Sequence, residues 1–290
     1  MLSMRLFIAL VLGTFLVVMG WQSNLFATET QLPPRDNYAD YMWQVHQNER
    51  PLPTDILTQA PTEDDGMSAE MVSYGTLEGE AIAGYLASPK DSDRPLPGII
   101  VIHEWWGLND NIKQEAQKYA DSLDNVAILA LDIYDGKVAD NPDDAGQLMQ
   151  GIQEDRAKAI INGALTYAGD DAKVATIGWC FGGGWSLKSS IIAGDKAAGC
   201  VMYYGMPVQE KEAIAPLKAD ILGIFAENDG WITPEVVTNF ETMAKDAGKV
   251  ITVHQYDADH AFANPSSPRY LKEAAQDANS KALAFLRTKL

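Results

Sequence analysis

The 290-residue chain has only two cysteines, Cys180 and Cys200. Two thiols cannot build a disulfide framework or a four-thiolate metal site. No C-x-x-C pair points to a dithiol redox centre. Histidine is scarce as well: His46, His103, His254 and His260 fall at no zinc-ligand spacing. Positive charge is in deficit, with 22 Lys and Arg against 40 Asp and Glu and a net charge of −18. Such a surface repels phosphate backbones and anionic membranes, so nucleic acid is not an expected partner. Internal repeats are missing too. With 47% hydrophobic and 21% charged residues, the bulk of the chain is expected to be one large globular domain with a sizeable core.

The N-terminus differs from the rest. Residues 1–5 carry one positive charge, residues 6–19 are apolar apart from Gly13 and Thr14, and the chain turns polar by residue 28. This is the layout of a signal peptide cleaved after Ala27, and it predicts an exported, periplasmic or secreted protein with no stable membrane insertion. An uncleaved membrane anchor is the alternative, although the apolar run is shorter than the roughly 20 residues that span a bilayer. No Cys follows the run, which excludes a lipoprotein anchor. Residues 28–66 contain Pro33, Pro34, Pro51, Pro53 and Pro61, which interrupt any helix longer than a few turns. The segment reads as irregular. Tyr38, Tyr41, Met42 and Trp43 make it too apolar for a free linker, so it is expected to lie against the main domain, a disordered tail being the alternative.

From about residue 67 the pattern becomes regular. Residues 72–76 and 81–87 alternate and read as a hairpin closed by residues 77–80. Pro97 precedes a continuous apolar run suited to a buried central strand. Asp110 can cap a helix with Ile112, Ala116, Tyr119 and Leu123 on its apolar face. Residues 126–131 form the next strand, and Leu148, Ile152, Ile160, Ala164 and Ala168 recur at helical spacing. Strands follow at 174–178, 199–204, 221–226 and 250–255. Thr233 and Pro234 open the helix between the last two, and Gly248 ends it. Leu271, Ala275, Ala278, Ala282 and Phe285 mark a terminal helix. Strands alternating with helices imply a mainly parallel sheet flanked by helices on both faces.

The chemistry starts at Gly178-Trp179-Cys180-Phe181-Gly182, between a strand and a helix. G-x-C-x-G has the layout of a nucleophile elbow with Cys in place of Ser. The helix N-terminus behind it is expected to favour thiolate over thiol. The turn lacks the P-loop Lys and the G-x-G-x-x-G spacing of a dinucleotide site. In elbow enzymes the acid and then the base follow the nucleophile in chain order. Asp229 follows the strand at 221–226 and His260 follows the strand at 250–255, so both missing members arrive at strand ends in the right order. Glu227 is the other candidate acid, whereas Asp257 and Asp259 read as solvated loop charges. His254 and Cys200 read as structural. After the first central strand comes His103-Glu104-Trp105-Trp106-Gly107-Leu108. The backbone N–H groups of Trp105 and Phe181 would form an oxyanion hole, and Trp106 would wall the substrate pocket.

His103-Glu104-Trp105-Trp106-Gly107-Leu108-Asn109, Gly178-Trp179-Cys180-Phe181-Gly182-Gly183 and His260-Ala261-Phe262 together resemble the dienelactone hydrolase family. The resemblance covers residues 67–290 and implies an α/β-hydrolase fold. It also implies Cys180 as nucleophile, Asp229 as acid, His260 as base and Glu104 as the group that helps activate the thiol. The implied reaction is hydrolysis of an ester or lactone, with no metal and no cofactor. Well-known members carry an Arg four residues after the catalytic His, and here that position is Asn264, a candidate pocket residue. Arg156 and Arg269 are candidates for a second carboxylate-binding cation. A thioesterase, a non-catalytic exported binding protein on the same scaffold, and a thiol redox protein using Cys180 and Cys200 are the alternative readings.

Overall fold

The computed structural model describes residues 38–49, 67–90 and 97–290. The expected leader, the cleavage site after Ala27 and most of the 28–66 segment lie outside the described residues. Among the described residues no helix is long and apolar enough to cross a membrane.

The sheet has eight strands. β1 (Met67–Leu77) and β2 (Glu80–Pro89) form the expected hairpin, longer than the sequence suggests. Its turn is tighter, because Glu78 and Gly79 both take positive φ, 54° and 88°, the geometry whose twist matches paired strands. β3 (Pro97–Ile102), β4 (Ala127–Leu131), β5 (Val174–Trp179), β6 (Ala197–Tyr203), β7 (Asp220–Ala226) and β8 (Ile251–Tyr256) complete the sheet in the order β1-β2-β4-β3-β5-β6-β7-β8. β1 and β2 pair antiparallel, β2 meets β4 antiparallel, and all the other pairs are parallel. The central strands are buried along their whole length, as continuous apolar runs demand when both faces are covered.

The order reverses between β3 and β5, since β4 lies on one side of β3 and β5 on the other. In open α/β sheets ligands bind at such a switch point, beyond the carboxyl ends of the strands. The loops after β3, β5, β7 and β8 all reach that edge.

The helices are α1 (Tyr38–His46), α2 (Asp110–Ser122), α3 (Pro142–Gln150), α4 (Glu154–Tyr167), α5 (Phe181–Ala193), α6 (Lys211–Ile214), α7 (Pro234–Asp246) and α8 (Lys272–Arg287). Four sequence expectations need correction. Asn109, not Asp110, caps α2, because its side chain accepts from the N–H of Ile112. The stretch from Leu148 to Ala168 is two helices, and Ile152 sits in the break that Gly151 opens. Leu271 stands outside α8 and is exposed, while Leu286 joins Ala275, Ala278 and Ala282 on its buried face. Finally, the extension is not irregular throughout. Tyr38, Tyr41, Met42, Val45 and His46 recur at i, i+3, i+4, i+7 and i+8, which makes one helical face. Met42 and His46 on that face are buried, and Trp43 on the opposite side is exposed. Thr233 caps α7 as expected, accepting from Val236 N at 3.4 Å, with Pro234 at the first helical position.

Among the described glycines, Gly178 of the β5–α5 turn leaves the least room for a Cβ. A Cβ on Gly178 would lie 2.1 Å from the carbonyl oxygen of Gly182, and one on Gly182 would lie 2.3 Å from that of Ile102. Both obstacles are backbone, so no side chain can move aside. Gly178→Ala should therefore destabilise by at least about 2 kcal/mol through overpacking, lowering the melting temperature by roughly 4–8 °C. Gly146→Ala, in α3 with open space around its Cβ position, should be neutral or stabilising by up to about 1 kcal/mol. Calorimetry of the two variants checks the contrast.

Candidate active site

The β5–α5 turn places Cys180 at φ 58°, ψ −123°, a conformation costly for any residue with a Cβ. Its sulfur sits where the N–H groups of Phe181 and Trp105 point at it. Those are the two donors expected to form the oxyanion hole. The loop after β3 that carries Trp105 is pinned by His103, whose Nδ1 donates to Glu104 O at 2.6 Å and whose Nε2 accepts from Ile133 N at 3.3 Å. Burial lowers the His103 pKa to about 4, so the ring is neutral and can both donate and accept.

Asp229 stands at the end of β7 and His260 in the loop after β8. His260 Nδ1 donates to Asp229 Oδ2 at 2.6 Å. The other carboxylate oxygen, Oδ1, accepts from the backbone N–H groups of Trp231 and Ile232, both at 3.0 Å, and from the Tyr41 hydroxyl at 2.7 Å. Burial alone would raise the Asp229 pKa, but His260 and these donors outweigh it and hold it at about 2. Asp229 is therefore ionised and fixes the His260 tautomer. Glu227, the alternative acid, is exposed, as are Asp257 and Asp259. Cys180, His260 and Asp229 are thus brought to one point of the sheet edge.

One expectation about charge is corrected. Cys180 is not a resting thiolate. Complete burial and the neighbouring Glu104 push its pKa well up, outweighing the two N–H donors. Glu104 is itself buried, and its carboxyl is pushed up to about 8. Both groups are neutral near pH 7, and a site closed to water favours that state.

The expected pocket residues also stand elsewhere. Asn264 is buried and donates from Nδ2 to Glu104 Oε2 while its Oδ1 accepts from Ser266 N and Oγ. It positions Glu104 rather than lining a pocket. Trp106 is buried against Trp105 and His46. Arg156 forms a two-pronged pair with Asp135 on the surface. Arg269 donates to the carbonyls of His260 and Val45 and pairs with Glu49. Neither cation is offered to a ligand. The cleft beside the site has a volume of about 650 Å³ and is lined by Tyr38, Phe181, Trp185, Met206 and Trp231 among others.

The residues that sequence reasoning missed come from α1 and the turn after it. Met42 Sδ is 4.0 Å from Cys180 Sγ. Tyr41 stacks on Trp231 and bonds to Asp229. Tyr38 lines the cleft, and its phenol is pushed well up by burial and by Cys180 and Asp229. It lies close enough to both the cleft and the Cys180–Asp229 site to feel their charges. His46 packs against Trp105 and His260, and its Nδ1 donates to Glu49 Oε2 at 2.7 Å. The sequence signal was the apolar face at helical spacing, with His46 and Glu49 three residues apart at its end. As a result Cys180 is only 1% exposed and His260 only 2%.

A doubly wound sheet with this strand order, and a Cys, an Asp and a His that follow β5, β7 and β8 in that chain order, defines an α/β-hydrolase. A sequence model of the dienelactone hydrolase family matches residues 82–290. Protein usf of Aquifex pyrophilus is 33% identical over 231 residues, spanning 75% of this chain and 97% of its own. A carboxymethylenebutenolidase of a Pseudomonas species is 32% identical over 142 residues, 49% of this chain and 58% of its own. Among solved structures, a dienelactone hydrolase-like promiscuous phosphotriesterase from metagenomic libraries superposes with a TM-score of 0.67 at 23% identity, covering 77% of this chain and 99% of that one. The chain belongs to the dienelactone hydrolase family, and its activity class is that of an ester or lactone hydrolase.

Glu104 gives a pH test of the site. Its folded pKa of about 8 lies above the ordinary 4.5. The folded state thus keeps a proton that the unfolded state has lost between those values, and stability falls as pH rises from 4.5 to 8. Glu104→Gln removes this term and still accepts from Asn264. Its stability relative to the parent should improve by at least about 2 kcal/mol between pH 5 and pH 8, measured by denaturant melts at both pH values.

Proposed function

We propose that the chain hydrolyses a neutral ester or lactone through a Cys180 acyl-enzyme. The observation that carries this is the Asp229–His260 pair at 2.6 Å, with His260 Nε2 free of any hydrogen-bond partner and Cys180 beside it. Cys180 starts as a neutral thiol. His260 Nε2 takes its proton as the sulfur attacks the carbonyl carbon, and ionised Asp229 stabilises the imidazolium that forms. The oxyanion develops between the N–H groups of Trp105 and Phe181. His260 then returns the proton to the departing alkoxide. In the second half it takes a proton from the water that attacks the thioester carbonyl, and returns that proton to the Cys180 sulfur as the C–S bond breaks and the acid leaves. A neutral Glu104 spares the transient thiolate the repulsion of a second buried anion. The substrate body occupies the cleft that Tyr38 lines.

Hydrolysis of p-nitrophenyl esters and lactones, with mass spectrometry of the acylated protein, tests this. Cys180→Ala should lose turnover by on the order of a million-fold, and no acyl adduct should form. Asp229→Asn should keep the adduct but slow turnover by roughly ten-thousand-fold through the wrong His260 tautomer. Activity retained in Cys180→Ala overturns the covalent route.

The cations argue for a neutral substrate: of the two lysines that line the cleft, Lys158 pairs with Glu154 and Lys188 lies over the Trp185 ring. Arg156 and Arg269 are both paired within the protein, and the net charge is −18. An available Arg would contribute about 1.5–3 kcal/mol to binding a carboxylate, or a tenfold to hundred-fold preference. Matched neutral and carboxylate-bearing esters should therefore show no such preference for the anion, and kcat/KM should favour the neutral ester modestly at low salt and less at high salt.

A further inference from the structure

We infer that His46, Cys180 and His260 form a binding site for a zinc-type divalent cation, which ties α1 to the hydrolytic site and shuts it. A ring nitrogen of each histidine and Cys180 Sγ lie within 4.8 Å of one another, and all three residues are buried. Zinc–sulfur and zinc–nitrogen bonds of about 2.3 and 2.0 Å at tetrahedral angles need ligand separations of roughly 3.3–3.6 Å. Side-chain rotation of about 1 Å closes that difference. One thiolate and two imidazoles suit zinc better than calcium or magnesium, which prefer oxygen.

Three observations support a built site. Both imidazoles turn a carboxylate-held Nδ1 away from the cluster: Glu49 Oε2 holds His46 at 2.7 Å and Asp229 Oδ2 holds His260 at 2.6 Å. This is the outer shell that orients ligating histidines and fixes their tautomer. Both remaining nitrogens, His46 Nε2 and His260 Nε2, are buried without a hydrogen-bond partner, a cost that folded proteins rarely leave standing. And the hydrolytic chemistry leaves His46 and Glu49 unused. They precede residue 82, where the family match begins, and so lie outside the segment that the family model covers.

Binding balances without redox chemistry. The two imidazoles give lone pairs, the Cys180 thiol gives its electron pair as thiolate, and the displaced proton goes to solvent. Water takes the fourth position. The inhibitory consequence rests on the proposed roles of Cys180 and His260, because coordination occupies both; the binding itself does not.

The test uses the full chain, freed of metal by a chelator. Zn2+ is titrated in competition with a chromophoric chelator, and Co2+ is titrated separately to read its thiolate charge-transfer band. One equivalent should bind, and the cobalt form should show that band. His46→Ala should weaken Zn2+ binding by at least a hundred-fold and Glu49→Gln by roughly 10–100-fold. Cys180→Ser should lose the band. Circular dichroism checks that each variant is folded, and if His46→Ala is not, Glu49→Gln and Cys180→Ser decide. Ester hydrolysis by the parent should fall with Zn2+ and return with chelator, at Zn2+ concentrations that shift upward in Glu49→Gln. Equal affinity in His46→Ala and the parent, or cobalt bound without a thiolate band, overturns the site. A parent inactive even without metal fails the hydrolase reading alone, since the two titrations stand apart from turnover.

Discussion

The close approach of the β5–α5 turn to the end of β3 sets the geometry of everything around it. Gly178 and Gly182 touch backbone where any Cβ would collide. The turn can then hold Cys180 in a strained conformation above the sheet, with the α5 N-terminus beneath the sulfur. Because the strand order reverses between β3 and β5, the loop after β3 reaches the same point and brings the Trp105 N–H beside that of Phe181. β7 and β8 then need only deliver one side chain each.

Burial governs the electrostatics of this point. Cys180, Glu104, His103 and His46 all have their charged forms disfavoured by the loss of water, while Asp229 keeps its charge through His260 and three further donors. A resting site with Cys180 and Glu104 both neutral costs less than one with a thiolate beside a second unpaired carboxylate. It also keeps Cys180 in its thiol form.

α1 is what closes the water out. Burying Met42 contributes about 2 kcal/mol, and Arg269 ties the helix end to the His260 loop by donating to the Val45 and His260 carbonyls. The family scaffold thus carries a plug made of its own chain, and the plug brings a third metal-competent side chain to a Cys–His pair.

The sequence by itself determined the order of strands and helices, the elbow, and the chain order Cys180, Asp229, His260. These are legible because hydrophobic period, glycine placement and strand ends are local properties. Boundaries moved where local signals competed: Asn109 outdid Asp110 as a cap, and Gly151 split one apolar stretch into two helices. The charge state of Cys180 was misread because a helix N-terminus is visible in sequence and burial is not. The Asn264 amide bonds to Glu104, 160 positions away in the chain, a contact that its neighbours in sequence do not mark. His46 had no ligand spacing to any other histidine. Only the packing of α1 over the sheet edge brought it to Cys180 and His260, because contact between segments so far apart is fixed by which surfaces bury each other, and no local pattern records that.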